Sequence, residues 1–496
     1  MNSAEQSYRD ERAPSGIPGL DEVLHGGFVP CQLYLIEGNP GSGKTTFSLQ
    51  FLIEGARRGE NCLYITLSES ERELRFGAES HGWDLNGVDI IELVADDEIL
   101  EREAQVTMYH PSEVELGSLT EKVLQAVEKV KPTRVVFDSL SELKLLAQGS
   151  LRYRRQVLAL KHFLVSKGCT VFMLDDKTSE EEDLQLQSIA HGVVTLSQAF
   201  PTYGASRRKL SVVKMRGAHY SGGLHDFAIE TGGLRVFPRL VAGRTEHSFE
   251  AEVLKSGVAE FDNLLAGGID RGSSTLFVGP AGSGKSTLAM SYAVVAAREG
   301  KHSSVFLFDE SIASLKTRAN SIGLGFQEGD GPGMVRLRTV DPAEVSPGEF
   351  AHMVRTAVEK DQSEVIVIDS LNGYLNAMSH EPFLSAQLHE LLSFLGRRGV
   401  STFLVVAQHG VVGSVTQSPI DTSYLADNVI LNRYYEHRGH VKKAVSVVKK
   451  RSGPHEETIR GLSFDKGMIC VTEPLAQLRG VLTGVPIEVT ESSSNS

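Results

Sequence analysis

Short apolar runs alternate along the chain with stretches of helical spacing, and the same order of elements occurs twice. Runs of about five apolar residues bounded by glycine or polar residues are typical of strands buried on both faces. The strand candidates are Leu33–Glu37, Cys62–Leu67, Arg134–Asp138 and Thr170–Leu174 in the first half, and Ser274–Val278, Ser304–Phe308, Val365–Asp369 and Thr402–Ala407 in the second. Helical stretches such as 119–129 and 383–395 separate them. The pattern predicts an α/β fold used twice, each copy with a mostly parallel sheet flanked by helices.

A tandem duplication explains this repetition. The segment beginning at Gly16 recurs at Gly257, and the same offset of 241 residues links Lys44 to Lys285. One domain of about 225 residues used twice fits this offset better than an array of short repeats. We predict an N-terminal tail over 1–13, a first domain over 14–240, a linker over 241–252, a second domain over 253–475 and a C-terminal tail over 476–496.

Both copies carry a glycine-rich motif between a predicted strand and a predicted helix. Residues 38–45 and 279–286 match G-x-x-x-x-G-K-[ST], the P-loop. Its backbone N–H groups cradle phosphates, its lysine reaches the β and γ oxygens, and its hydroxyl ligates Mg²⁺. The predicted nucleotide-binding residues are Gly41, Ser42, Gly43, Lys44, Thr45 and Thr46 in the first copy, and Gly282, Ser283, Gly284, Lys285, Ser286 and Thr287 in the second. A flexible Gly/Ser loop is the alternative, which the matched position in both copies disfavours.

A carboxylate ends one buried strand candidate in each copy. Asp138 and Asp369 each close such a strand and are followed by Ser-Leu. At the carboxyl end of a strand near the P-loop, this side chain can hold Mg²⁺ together with the P-loop hydroxyl of Thr45 or Ser286. An acidic cap on the next helix is the alternative. We therefore predict two metal sites, one in each copy.

A second acidic position follows the strand after each P-loop helix. It is occupied by Glu69 in the first copy and by Asp309 and Glu310 in the second. A carboxylate here can orient the water that attacks the γ-phosphate, or accept a hydroxyl proton. Exposed loop acids are common, but the matched offset favours a catalytic role.

Composition excludes several functional classes. Lysine and arginine total 50 against 63 aspartates and glutamates, and the formal charge of −13 opposes loose binding to nucleic acid or anionic membranes. The four cysteines have no C-x-x-C spacing, so neither a zinc module nor a disulfide framework is predicted. Residues 1–14 lack the apolar core of a signal peptide, and no apolar run reaches the roughly 18 residues of a membrane span. A cytoplasmic location without membrane contact is expected, and nucleic-acid binding is not.

Together these motifs resemble the RecA-like ATPases, and among them the KaiC family, over about residues 14–485. The resemblance implies two tandem RecA-like P-loop NTPase domains that use ATP and Mg²⁺, in a homohexamer with ATP held between subunits. It also implies that Lys214, Arg216, Lys449 and Arg451 reach the γ-phosphate of a neighbouring subunit as trans fingers. Such cations would neutralise charge in the transition state. Merely basic edge strands are the alternative.

The resemblance further implies Ser/Thr autokinase activity in the second domain. The family's phosphorylated Ser-Thr pair aligns with Ser423 and Tyr424, where only the serine is kept, and Thr422 with Ser423 is an alternative pair. In the first domain Ser68 replaces one acid of the family's pair. Because Glu69 is retained, ATPase activity is still expected there.

Two other functional classes share these motifs. One is a nucleic-acid motor or recombinase, which the acidic balance and the lack of an aromatic and basic stripe disfavour. The other is a nucleotide-gated scaffold in which binding without turnover assembles the ring. Regulatory partner proteins are possible for this protein, but no motif in the sequence identifies one.

Overall fold

The chain folds into two compact units, residues 1–239 and 240–496. This computed structural model describes residues 12–93, 111–177, 183–243, 248–377, 383–408, 425–465 and 467–488. The division falls beside the start of the predicted linker. The predicted limits of the linker and tails stay predictions.

The first unit is built around a nine-stranded mixed sheet. Its strands are β1 (Leu33–Gly38), β2 (Cys62–Thr66), β3 (Val88–Glu92), β4 (Arg134–Asp138), β5 (Thr170–Asp175), β6 (Gly192–Ala199), β7 (Arg207–Met215), β8 (His225–Glu230) and β9 (Gly233–Phe237). They lie in the order β3-β2-β4-β5-β1-β6-β7-β8-β9. The pairs from β3 to β6 are parallel, and those from β6 to β9 are antiparallel. The parallel part therefore aligns the carboxyl ends of six strands along one edge.

Helices cover both faces of this sheet. They are α1 (Leu20–Val23), α2 (Lys44–Arg57), α3 (Glu71–Ser80), α4 (Pro111–Val130), α5 (Leu140–Ala147), α6 (Ser150–Ser166) and α7 (Asp183–Ile189). Successive residues of β1 point to opposite faces, as the strand period requires. Tyr34 and Ile36 lie in the core shared with α2, whereas Leu33 and Leu35 lie in the core shared with α4, α5 and α6. The result is a three-layer α/β/α arrangement.

The second unit repeats the sheet. Its strands are β10 (Val253–Leu254), β11 (Ile269–Asp270), β12 (Ser274–Gly279), β13 (Ser303–Leu307), β14 (Val335–Thr339), β15 (Val365–Asp369), β16 (Ser401–Ala407), β17 (Asn428–His437), β18 (His440–Lys450), β19 (Arg460–Asp465), β20 (Met468–Pro474), β21 (Leu478–Arg479) and β22 (Ile487–Glu488). The large sheet has the order β14-β13-β15-β16-β12-β17-β18-β19-β20, strand for strand the order of the first. Two short pairs, β10–β11 and β21–β22, accompany it.

Its helices also occupy both faces. They are α8 (Ala259–Leu264), α9 (Lys285–Arg298), α10 (Ile312–Ser321), α11 (Pro347–Glu359), α12 (Leu371–Ala377) and α13 (Leu384–Arg397). Phe277 of β12 packs with α9 on one face, while Leu276 and Val278 pack with α11 and α13 on the other. No helix within the described ranges of either unit is long and apolar enough to cross a membrane.

Core packing is duplicated as well as topology. In the first unit the rings of Phe51 and Phe172 stack with centroids 3.9 Å apart, which joins α2 to β5. In the second unit Tyr292 and Phe403 stack at 4.5 Å, which joins α9 to β16. Since these pairs fall at corresponding places, the predicted use of one fold twice is confirmed at the level of side chains.

Candidate functional site

In each unit a P-loop links the central strand to the helix behind it, β1 to α2 and β12 to α9. Gly43 and Gly284 precede these helices with backbone φ angles of 100° and 101°, which residues that carry a side chain rarely adopt. A Cβ on Gly43 would lie 2.5 Å from Cδ1 of Ile229, and one on Gly284 would lie 2.6 Å from Cζ of Phe464. Backbone conformation and close packing therefore both require glycine at these two positions.

The two P-loop lysines are buried against their own loops. Lys44 Nζ donates to the carbonyl oxygens of Gly38 at 2.6 Å and Asn39 at 3.2 Å, and Lys285 Nζ donates to Pro280 O at 2.7 Å. Burial lowers the pKa of Lys285 to about 8, although the neighbouring Asp369 carboxylate opposes this shift. Both lysines are the first residues of the helices that follow their loops, and their contact with phosphate stays a prediction.

In the first unit, Asp138 ends β4 beside the P-loop helix. Its carboxylate accepts hydrogen bonds from the Tyr64 hydroxyl, at 2.5 Å, and from the Thr45 hydroxyl. Burial raises the pKa of Asp138, and the contacts with Tyr64, Lys44 and Thr45 act against that increase. A carboxylate and a hydroxyl side by side are hard oxygen donors of the kind that suits Mg²⁺.

The second unit repeats this pairing. Asp369 ends β15 and accepts a hydrogen bond from the Ser286 hydroxyl. Burial again raises the pKa of the carboxyl group, whereas the Ser286 hydrogen bond and the Arg318 guanidinium favour its charged form. The oxygen donors at both sites therefore fit the predicted metal, whose ligation stays a prediction.

Glu69 lies at the tip of β2, where its backbone is held in place. The Thr66 hydroxyl donates to Glu69 O at 2.7 Å and accepts from Glu69 N at 3.0 Å. Partial burial raises the pKa of the Glu69 carboxyl, and the nearby charges of Asp138 and Glu73 raise it further. This acid lies close enough to the predicted metal ligand to share one site with it.

The corresponding acids of the second unit have different neighbours. The Ser370 hydroxyl donates to Asp309, and Arg318 Nη2 donates to Glu310 Oε2 at 2.5 Å. Arg318 lies on α10, where the same position on α3 is Gly77. Glu310 is therefore ion-paired, whereas the described residues offer Glu69 no arginine at this place.

The second P-loop opens into a cavity of about 570 Å³, which is large enough for a nucleotide. Eight predicted site residues line it together with their neighbours: Gly282, Gly284, Lys285, Ser286, Thr287, Asp309, Glu310 and Asp369. Ser283 instead lies beneath the loop and donates its hydroxyl to Pro280 O. The cavity thus brings together the predicted phosphate, metal and catalytic residues.

The predicted trans fingers lie away from the P-loops of their own units. Lys214 is level with Leu35 across β6, and Lys449 is level with Leu276 across β17. These positions are three residues before the end of the central strand, about 10 Å along it, and two strand spacings of about 4.8 Å to the side. Both lysines are therefore level with the middle of the central strand, away from the sheet edge that carries their own phosphate loop.

The finger side chains contact their own unit. Lys214 donates to Gln187 O, and Arg216 Nη2 donates to Ser188 O at 2.8 Å. In the second unit Lys449 donates to Ala426 O at 2.7 Å, and Arg451 pairs with Asp427 at 2.9 Å. Arg216 and Arg451 are exposed, so both can be reached by another molecule.

Several residues near the sites were not predicted. Asp176 pairs with Lys44, Arg318 pairs with Glu310, and Lys443 lines the second cavity. Arg208 Nη1 donates to Gly41 O at 2.8 Å. Asp176 follows β5 at the same edge as the other acids, so its place after a buried strand was the available signal. Ser423 lies outside the described residues, together with Thr422 and Tyr424.

The fold and the paired sites define a RecA-like P-loop protein with two tandem nucleotide-binding domains. The model of the family described as "ATPase: KaiC" matches residues 13–241 and 254–476. The chain therefore belongs to the KaiC ATPase family, and the resemblance predicted from the motifs is confirmed. It is accordingly an ATP-binding enzyme of the ATP-hydrolysing class.

Relatives match along nearly the whole chain. The circadian clock oscillator protein KaiC of Picosynechococcus sp. is 27% identical over 482 residues, which cover 95% of this chain and 92% of that protein. The protein of the same name from Thermostichus vulcanus is 26% identical over 495 residues, covering 98% and 94%. That of Prochlorococcus marinus is 26% identical over 491 residues, covering 97% and 96%. The tandem arrangement is therefore shared with these proteins.

Proposed function

We propose that this protein hydrolyses ATP at both P-loop sites, in a homohexameric ring whose neighbouring subunits complete each site. The observation that carries the proposal is the convergence of a P-loop lysine, a buried aspartate and a strand-end glutamate at one sheet edge. The exposed Arg216 and Arg451, which lie away from that edge, support completion by a neighbour. A head-to-tail interface of this kind closes into a ring of six when the rotation between neighbouring subunits is one sixth of a turn.

Nucleotide binding would rest on the P-loops. Their backbone N–H groups surround the β-phosphate, and Lys44 and Lys285 neutralise the β and γ oxygens. Mg²⁺ would be held by Thr45 with Asp138 in the first site and by Ser286 with Asp369 in the second, and it supplies neutralisation of phosphate charge. These side chains also orient the triphosphate for in-line attack.

The strand-end acids would act on the attacking water. Glu69 in the first site, and Asp309 with Glu310 in the second, orient the water and take up its proton as the bond to the γ-phosphorus forms. The bond between the γ-phosphorus and the bridging oxygen then breaks, which leaves ADP and phosphate. Burial favours this role for Glu69, because a carboxyl group with a raised pKa is a stronger base.

Replacing both glutamates tests the ATPase proposal. In the Glu69→Gln, Glu310→Gln double variant, steady-state hydrolysis should fall at least about 100-fold, because general-base catalysis is typically worth that much. Binding of ATP measured by calorimetry should persist. The control Glu79→Gln changes an exposed acid on α3 and should hydrolyse ATP at the wild-type rate.

Other outcomes of the same assay favour other functions. Unchanged hydrolysis in the double variant would contradict the assignment of the glutamates. ATP that is retained without turnover by the wild-type protein would favour the nucleotide-gated scaffold. Stimulation by DNA would favour the recombinase class, against which the charge of −13 argues.

We further propose that the second domain phosphorylates Ser423. In this reaction the serine hydroxyl oxygen bonds to the γ-phosphorus, the bridging P–O bond breaks, ADP leaves, and Asp309 or Glu310 takes the hydroxyl proton. The acid pair Asp309 and Glu310 at the second site supports this reaction. A role in a circadian oscillator, the function in the relatives' names, would follow only from a rhythmic change in this phosphorylation.

Mass analysis tests the kinase proposal. Intact protein incubated with Mg-ATP should gain one phosphate, and peptide mapping should place it on Ser423. The Ser423→Ala variant should lose the added mass, whereas the control Thr422→Ala should keep it. Absence of phosphate from residues 422–424 would remove the proposal.

A further inference from the structure

Lys44 of the first P-loop is already bound to a carboxylate. Its Nζ lies 2.7 Å from Oδ1 of Asp176, in addition to the two carbonyl oxygens of the loop. Only 8% of the lysine side chain and 29% of the aspartate side chain are exposed. Because an ammonium has three N–H donors, all of them have acceptors within the protein. A phosphate can reach this lysine only by displacing one of these acceptors.

Asp176 is held in place from its other side. The Ser141 hydroxyl donates to Oδ2 of Asp176 at 3.1 Å, so the two carboxylate oxygens have different partners. Asp176 is also near enough to Asp138 for its charge to raise the pKa of that buried carboxyl. The carboxylate therefore adds negative charge to the place where the triphosphate is proposed to bind.

The second site lacks this carboxylate. The central strand pairs with β5 through Glu37 and Asp175 in the first unit, and with β16 through Gly279 and Ala407 in the second. Gly279 is the counterpart of Gly38, which follows Glu37, and the residue of the first unit level with Gly38 is the one after Asp175, namely Asp176. Ala407 therefore occupies the place of Asp176 beside the second P-loop. Ala407 lines the cavity there. The two P-loops, alike in sequence, thus differ in the charge beside their lysine.

We propose that Asp176 determines nucleotide affinity at the first site by competing with the β and γ phosphates for Lys44. This proposal rests on the proposed binding of ATP at both P-loops. A triphosphate that replaces the carboxylate at Lys44 breaks the ion pair, and one that replaces a loop carbonyl lies beside the carboxylate. In both cases like charges meet in a partly buried site and repel one another. The Asp176 carboxylate therefore lowers the affinity of the first site for ATP, and Ala407 has no such effect at the second.

Two reciprocal substitutions test this inference. Each is made in the full-length chain and measured by calorimetry with a non-hydrolysable ATP analogue and Mg²⁺. In a Lys285→Ala background, which disables the second site, Asp176→Asn should bind the analogue about tenfold more tightly, the worth of one hydrogen bond to a charged group. In a Lys44→Ala background, Ala407→Asp should weaken binding at the second site about tenfold, while the neutral control Ala407→Asn should not.

The outcomes separate this inference from the proposed function. Unchanged or weaker binding by Asp176→Asn would overturn it, because the carboxylate would then be neutral to binding or would assist it. Equal effects of Ala407→Asp and Ala407→Asn would also overturn it, since size rather than charge would be responsible. Failure of the wild-type protein to bind the analogue at either site would instead contradict the proposed function. Thermal unfolding of each variant checks that it is folded.

Discussion

At the scale of single residues, the two P-loop lysines share a motif but differ in environment. Burial lowers the pKa of Lys285 to about 8, and Asp369 only partly offsets that effect. At about pH 8.5 much of this lysine is neutral in the free site, whereas a bound triphosphate favours its charged form. Nucleotide binding at the second site should then be linked to proton uptake.

The Lys285→Arg variant isolates this linkage. Below about pH 8 the wild-type lysine is charged and binding should be strongest, and affinity should fall as the pH rises above the lysine's pKa. Because arginine stays charged, the variant should lose this pH dependence. Calorimetry of analogue binding near pH 8.5, in buffers with different ionisation enthalpies, counts the protons taken up. Equal proton uptake by wild type and Lys285→Arg would contradict the prediction.

Sequence spacing predicts part of each site and misses the rest for a physical reason. The P-loop and the strand-end acids, such as Asp138 and Asp369, are found because their role follows from position along one element. Asp176 and Arg318 act on side chains far away in sequence, at Lys44 and Glu310. Such pairs depend on which strands and helices become neighbours, which no local pattern specifies.

At the scale of elements, the parallel half of each sheet is the predictable half. Strands β4 and β15 are buried at every position, and each contains an apolar run, 135–137 or 365–368, that is closed by an acid. The antiparallel strands are different, since β7 and β18 mix buried positions with exposed and charged ones. Because they contain many polar residues, their sequence pattern resembles that of loops. Most of the antiparallel half of the fold was therefore not predicted.

Helices α3 and α10 show how one residue changes an otherwise repeated element. Both come after the acid that is proposed to be catalytic, Glu69 or Glu310, and each is capped by a serine side chain, Ser70 or Ser311. Arg318 on α10 holds Glu310, whereas Gly77 occupies that place on α3. The charge beside the acid is therefore positive in the second site, while Glu73 adds negative charge beside Glu69 in the first. The two sites therefore differ in which group is ion-paired. In the first site it is the P-loop lysine, bound to Asp176, and in the second it is the acid Glu310, bound to Arg318.

At the scale of the whole molecule, the positions of the predicted trans fingers determine whether one subunit can form a complete site. Lys214 and Lys449 lie about 10 Å back along the central strand from their own P-loop, with Arg216 and Arg451 farther in the same direction. A side chain there cannot neutralise a γ-phosphate in its own unit. If these cations serve catalysis, they serve the site of a neighbouring subunit, and a single subunit is incomplete.

Mixing two inactive variants tests this dependence. One carries Glu69→Gln and Glu310→Gln and keeps its fingers, and the other carries Arg216→Ala and Arg451→Ala and keeps its acids. Mixed in equal amounts before ATP is added, they should regain about a quarter of wild-type hydrolysis, because random neighbours combine an intact site with an intact finger in that proportion. Native mass measurement of the same mixture should show six subunits. No regained activity in mixed hexamers would contradict the trans assignment, since residues that act within one subunit cannot complement each other across an interface.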